Sequence, residues 1–169
     1  MNTNPFRLAG LCAGITLFAL LHAGAAAPGA GAEKAVRPEA SQVEHGRYLV
    51  RIAGCNDCHT PGYLQAGGKV DEKHWLTGDA FGWRGPWGTT YATNLRLYVA
   101  GMTEAQWLQR VASMRPRPPM PWFNVQAMTE QDRKAIFHYL QSLGPAGQPA
   151  PAWVPPDKQP PQPFAQFPG

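Results

Sequence analysis

The chain has 169 residues, enough for one domain, with 18 glycines, 18 prolines and 15% charged residues. That Gly and Pro usage is well above average and argues for long loops between a few helices. The formal charge of +4 is mild and includes no basic run of the kind that grips phosphates, so no nucleic-acid partner is expected.

Residues 1–27 have the three-part layout of a secretory signal peptide: Arg7, an apolar run from Leu8 to Leu21, then small residues that offer Ala23-Gly24-Ala25 and Ala25-Ala26-Ala27 for cleavage. The run is shorter than the ~20 residues of a spanning helix, so membrane association is expected only if the segment stays uncleaved. Cys12 sits inside the run behind Leu11, where a lipid-modified cysteine needs a small neighbour. Cleavage leaves Cys55 and Cys58 as the only cysteines. Residues 28–40, rich in Ala, Gly and Pro without apolar period, read as a flexible lead-in.

From Ser41 the pattern turns helical, with Val43, Tyr48, Leu49 and Ile52 at helical spacing and Glu44, Arg47 and Arg51 opposite. Gly46 interrupts it at a cost of about 1 kcal/mol relative to Ala, a place where another helix can approach closely. The helix is expected to end near Gly54 and to deliver Cys55-Asn56-Asp57-Cys58-His59 at its last turn, with Thr60-Pro61-Gly62 as the stop.

This C-x-x-C-H run is specific enough to name a chemistry: covalent haem attachment. Two thiols three residues apart on a helical turn lie on one face, so each can form a thioether to one haem vinyl. His59 then supplies the proximal imidazole. A thioredoxin-like pair wants a β-α-β setting, and a zinc site wants two further Cys or His at ligand spacing. Neither accompanies the run. A haem would also add apolar area that a loop-rich chain of this size lacks.

Tyr63 to Gly101 is Gly-rich without sustained period and holds Trp75, Phe81, Trp83, Trp87 and Tyr91, which read as aromatics anchoring loops. Arg84 reads as a solvated side chain or, with Trp75, Trp83 and Trp87, as a donor to haem propionates. Thr103-Glu104-Ala105-Gln106 is a capping box opening a helix with Trp107, Leu108 and Val111, which makes Met102 a hydrophobic staple. Met114 falls beside the apolar face of that helix. Prolines 118, 119 and 121 deny their segment a helix and stiffen a loop that presents Met120. Met128 precedes a second, weaker capping box, Thr129-Glu130-Gln131-Asp132, and rivals Met120. The closing helix runs from Thr129 to Leu143 and ends at Gly144-Pro145. Residues 147–169 form a Pro-rich tail, polyproline-like or disordered. It is either solvated or pinned by Trp153, Phe164 and Phe167 to the domain or a partner subunit.

The helix with an internal Gly, the C-x-x-C-H run, the Gly-rich loop, a Met in a Pro-rich loop and the closing helix together resemble class I c-type cytochromes. Tyr91-Ala92-Thr93-Asn94-Leu95 and Arg117-Pro118-Pro119-Met120-Pro121-Trp122 are similar to the bacterial periplasmic branch that includes cytochrome subunits of dehydrogenases. The resemblance spans residues 41–146. It implies an all-α fold around one haem c held by Cys55, Cys58 and His59, with Met120 where the family places its axial Met. It implies loops that wrap the haem edge, a Gly-Pro carbonyl (Pro86, with Pro61 as rival) accepting the His59 N–H, and Phe137 or Tyr139 meeting Gly46.

A Met on the sixth position raises the potential and closes the iron, a His closes it at lower potential, and an open position permits catalysis or gas binding. His74 is the His alternative, whereas His45 and His138 lie on helices. The expected function is a periplasmic monohaem electron carrier rather than an enzyme, working alone or as the cytochrome subunit of a larger oxidoreductase. Its partners would be a dehydrogenase, an oxidase or another cytochrome. The alternative is a haem enzyme or gas binder with an open sixth position, although no distal His and Arg pair is evident. The resemblance further implies a weak far-red band in the oxidised protein when Met is bound.

Overall fold

The computed structural model describes residues 38–168; the signal segment and most of the lead-in lie outside them. Six helices carry the domain: α1 (Pro38–Ile52), α2 (Cys55–His59), α3 (Leu95–Tyr98), α4 (Glu104–Ser113), α5 (Trp122–Ala127) and α6 (Glu130–Leu143). A short 3-10 turn spans Glu72–His74. Among the described residues no helix is long and apolar enough to cross a membrane.

The first helix begins at Pro38, ahead of the expected Ser41, because a proline in the first turn has no intrahelical N–H to lose. It also stops sooner. Gly54 takes a left-handed φ of 69°, which ends α1 and lets the two cysteines start a separate short helix rather than ride on the last turn of the first.

Helices α1 and α6 form the main helix pair. A Cβ on Gly46 would collide with the Ala135 carbonyl and lie 2.8 Å from Tyr139 Cβ, so the backbones meet where the side chain is missing, and Tyr139 is the aromatic involved. The buried side of α1 is Gly46 and Val50, whereas Tyr48 and Ile52, expected on the apolar face, are 56% and 61% exposed. Positions 43, 46 and 50 follow the i, i+3, i+7 stripe that faces a partner helix; 48 and 52 lie off it. Trp107 stacks on Phe137 at 6.2 Å and donates to the Arg133 carbonyl at 2.8 Å, joining α4 to α6. Arg96 is buried and donates to the carbonyls of Gly144 (2.6 Å), Leu143 (2.5 Å) and Lys73 (2.7 Å). A cation thereby satisfies the carbonyl end of α6.

The expectation of an all-α fold needs correction. A small three-stranded sheet of order β2-β1-β3 joins β1 (Gly82–Gly85), β2 (Gly88–Tyr91) and β3 (Phe164–Gln166). Strands β1 and β2 form an antiparallel hairpin, Gly85 opposite Gly88, and β3 runs parallel to β1 with Trp83 opposite Ala165. The Pro-rich tail is therefore neither a polyproline segment in solvent nor disordered. Arg84, read as a solvated side chain or a propionate donor, instead binds the tail carbonyls of Lys158 (2.7 Å) and Pro156 (3.1 Å). Trp75 and Trp87 likewise spend their N–H groups inside the protein, on the Val70 carbonyl at 2.8 Å and the Thr90 hydroxyl at 3.1 Å.

Candidate functional site: a C-x-x-C-H turn and a proline-held methionine

Helix α2 is one helical turn, so Cys55 and Cys58 at its i and i+3 positions share a face and His59 closes it. Cys55 and Cys58 form no disulfide with each other. Burial pushes the Cys55 thiol up to about 11 and raises Cys58 as well, with the Asp57 carboxylate adding to both. Redox-active pairs show the opposite, a depressed thiol pKa that supplies thiolate near neutral pH. Among the described residues no three His, Cys, Asp or Glu groups converge to hold a metal ion. The raised thiols are unlike those of a dithiol oxidoreductase, and among the described residues the pair lacks the further ligands of a zinc site.

His59 is 8% exposed, and its Nδ1 lies 2.7 Å from the carbonyl oxygen of Thr93. A carbonyl only accepts, so Nδ1 carries the proton and Nε2 keeps its lone pair for a metal. Burial lowers the His59 pKa against the opposing pull of the Thr93 carbonyl, which favours the neutral, ligating form. The acceptor is neither Pro86 nor Pro61. Pro86 is the exposed turn residue of the β1–β2 hairpin, and Pro61 is exposed in the turn after α2.

Several segments hold the ring in this pose. The Leu76 N–H donates to the Thr60 hydroxyl at 2.8 Å, and that hydroxyl donates to Asn56 Oδ1 at 2.7 Å. The Gly78 N–H reaches the His59 carbonyl at 2.8 Å, and the Asp79 N–H reaches the Ala92 carbonyl at 3.0 Å. Segment 76–79 is thereby pressed between α2 and the strand leading to Thr93.

The four methionines beyond the signal segment separate clearly. Met102, Met114 and Met128 pack against the hydrophobic core. Thr103 and Gln106 form the reciprocal capping box that puts Met102 just ahead of α4, as its staple role requires. Met120 is half-buried and, among the described residues, is the methionine outside that core cluster. It stands immediately before α5 on a loop without helix or strand. The Thr90 hydroxyl donates to the Pro118 carbonyl of that loop at 2.5 Å. Thr90 and Thr93, three residues apart, therefore contact the Met120 loop and the His59 ring respectively. Of the other histidines, His45 pairs with Asp132 and His138 with Glu104, each at 2.8 Å; His74 is exposed.

The cytochrome c family model matches residues 43–144, about three-fifths of the chain and all of α2, the Met120 loop and α6. The chain belongs to the cytochrome c family. No curated protein and no solved structure shows significant similarity to it. Cytochromes c bind haem c and transfer electrons through it, and the C-x-x-C-H turn of this member fits that group: two thiols on one face and an imidazole with its Nε2 unprotonated.

Proposed function

We infer that the chain is a periplasmic class I cytochrome with one covalently attached haem, passing single electrons either alone or as the cytochrome subunit of a larger oxidoreductase. The observation that carries this reading is the Nδ1–H of His59 fixed on the Thr93 carbonyl, directly beside two thiols that share its helical turn. When bound, haem supplies an iron that cycles between Fe(III) and Fe(II). Cys55 and Cys58 would hold it by thioethers, and His59 and Met120 would ligate its iron. The Thr93 carbonyl keeps the imidazole in a single tautomer and orientation, and a ring already held rigidly contributes little reorganisation to either oxidation state.

The N-terminal Arg7, apolar run and A-x-A sequences support export, and docking to redox proteins such as a dehydrogenase, an oxidase or another cytochrome would be small and transient, in keeping with weak redox encounters. The ligand assignment is tested by two substitutions in the haem-loaded protein. Met120→Ala should abolish the far-red band, lower the potential and let the reduced iron bind CO promptly. Met128→Ala should leave all three as they are and lower stability by about 1–2 kcal/mol, the loss of a half-buried side chain. The reverse pattern assigns the ligand to Met128, and prompt CO binding by the unaltered protein would favour an open site and a gas-binding or catalytic role.

A further inference from the structure

The loop that presents Met120 is anchored at its ends by the helical domain. Gln126 Nε2 lies within hydrogen-bond reach of the carbonyls of Val111 (2.9 Å), Ala112 (3.1 Å) and Met114 (3.1 Å), tying α5 to the end of α4. Arg115 lies over the Trp122 ring at 4.2 Å from its centroid, bridging the base of the loop. Its middle has different neighbours. The Thr90 hydroxyl holds the Pro118 carbonyl, and the Arg117 guanidinium sits 4.2 Å over the ring of Trp153, a residue of the C-terminal tail. Trp153 is itself fixed. Its Nε1 donates to the Trp87 carbonyl at 2.9 Å, and the next residue, Val154, exchanges backbone bonds of 2.7 and 3.0 Å with Thr89. Tail and loop therefore rest on the same strand, β2, the tail at Thr89 and the loop at the adjacent Thr90.

We propose that the tail is a clamp on the axial-ligand loop: Trp153, seated on β2, holds Arg117, and Thr90 holds Pro118, so that together they set how often Met120 lets go of the iron. Trp153, Arg117 and Thr90 are positioning residues acting through the loop. This rests on Met120 being the sixth ligand. A half-buried thioether on a loop with no helical or strand hydrogen bonds of its own stays in place only as well as the loop does. The tail lies beyond the 43–144 segment that the family model matches.

The test uses the haem-loaded, full-length protein and three readouts: CO association to the reduced form, the far-red band of the oxidised form, and amide exchange over residues 115–122. Trp153→Ala should speed CO association about fivefold, the loss of one such contact, with faster exchange in the loop and a weakened band. Arg117→Ala should do the same, and the double variant should exceed neither single by more than about twofold, because both remove one contact. Trp153→Phe keeps a ring beneath Arg117 but loses the Nε1 bond to Trp87, so it should fall between wild type and Trp153→Ala in all three readouts, and a Phe variant as fast as Trp153→Ala would overturn the ring contact as the clamp. Wild-type CO rates and loop exchange in Trp153→Ala overturn the clamp when Met120→Ala binds CO promptly. A Met120→Ala variant that binds CO no faster than wild type overturns the ligand reading, and the proposal with it.

Discussion

His59 owes its tautomer to a backbone carbonyl, and that carbonyl owes its position to the close passage of residues 76–79. Gly78 has φ 77°, and a Cβ there would lie 2.7 Å from the Asn94 nitrogen and 2.9 Å from the Ala92 oxygen. Gly78→Ala should therefore combine a left-handed backbone cost with displacement of the segment that carries Thr93, about 2–4 kcal/mol in all. Chemical denaturation of the haem-loaded protein reads this directly, and a loss below about 0.5 kcal/mol would show that the segment yields freely. At this scale the sequence was legible where a side chain does the work. Cys55, Cys58 and His59 stand out because their chemistry is in their side chains and their spacing is local. Thr93 and the Pro118 carbonyl are not, since every residue has a carbonyl and only the fold decides which one meets a buried ring. The Gly-Pro expectation for the His59 acceptor failed for that reason.

The helices were legible where their ends were marked. The capping box at Thr103 and the Thr129 cap, whose hydroxyl accepts the Asp132 N–H at 3.1 Å, start α4 and α6 where expected, and Gly144 ends α6. The faces of α1 were harder, because Tyr48 and Ile52 are apolar yet exposed while the close contact falls on a glycine. Gly46→Ala should push Ala135 and Tyr139 away and cost about 1–3 kcal/mol, read as a lower denaturation midpoint at unchanged slope; an unaltered midpoint would mean that α1 and α6 separate without loss. Tyr139 adds a pH dependence to the same pair. Its hydroxyl donates to Glu72 Oε1 at 2.7 Å, and Arg47 holds both oxygens of that carboxylate at 2.9 Å. Burial, then the Glu72 carboxylate, raises the Tyr139 pKa above its ordinary 10.0. A group whose folded pKa is raised stabilises fully below its unfolded value and loses that contribution above it. Stability should therefore fall as pH rises past about 10, and Tyr139→Phe should flatten that limb. An equally steep alkaline loss in Tyr139→Phe would assign it to other groups.

Across the whole molecule, the strands were the least legible part. β1 and β2 are four residues each, flanked by glycines and turned at Pro86-Trp87, so no alternation had room to develop. β3 lies in a tail whose prolines argue against any regular element, and its partner is some eighty residues upstream. Only tertiary contact reveals such a pairing: the ring of Phe167 packs on Trp83 and Trp87 at 6.1 and 5.5 Å, and Arg84 binds the tail carbonyls of Pro156 and Lys158. One short turn carries two thiols and an imidazole, and everything inferred about function depends on what those thiols hold. The intact mass of the protein made in a host equipped for haem attachment tests that most directly. The predicted mass is that of the processed polypeptide plus one haem, lost when both Cys55 and Cys58 are replaced by Ser; a polypeptide mass without that addition would contradict the account.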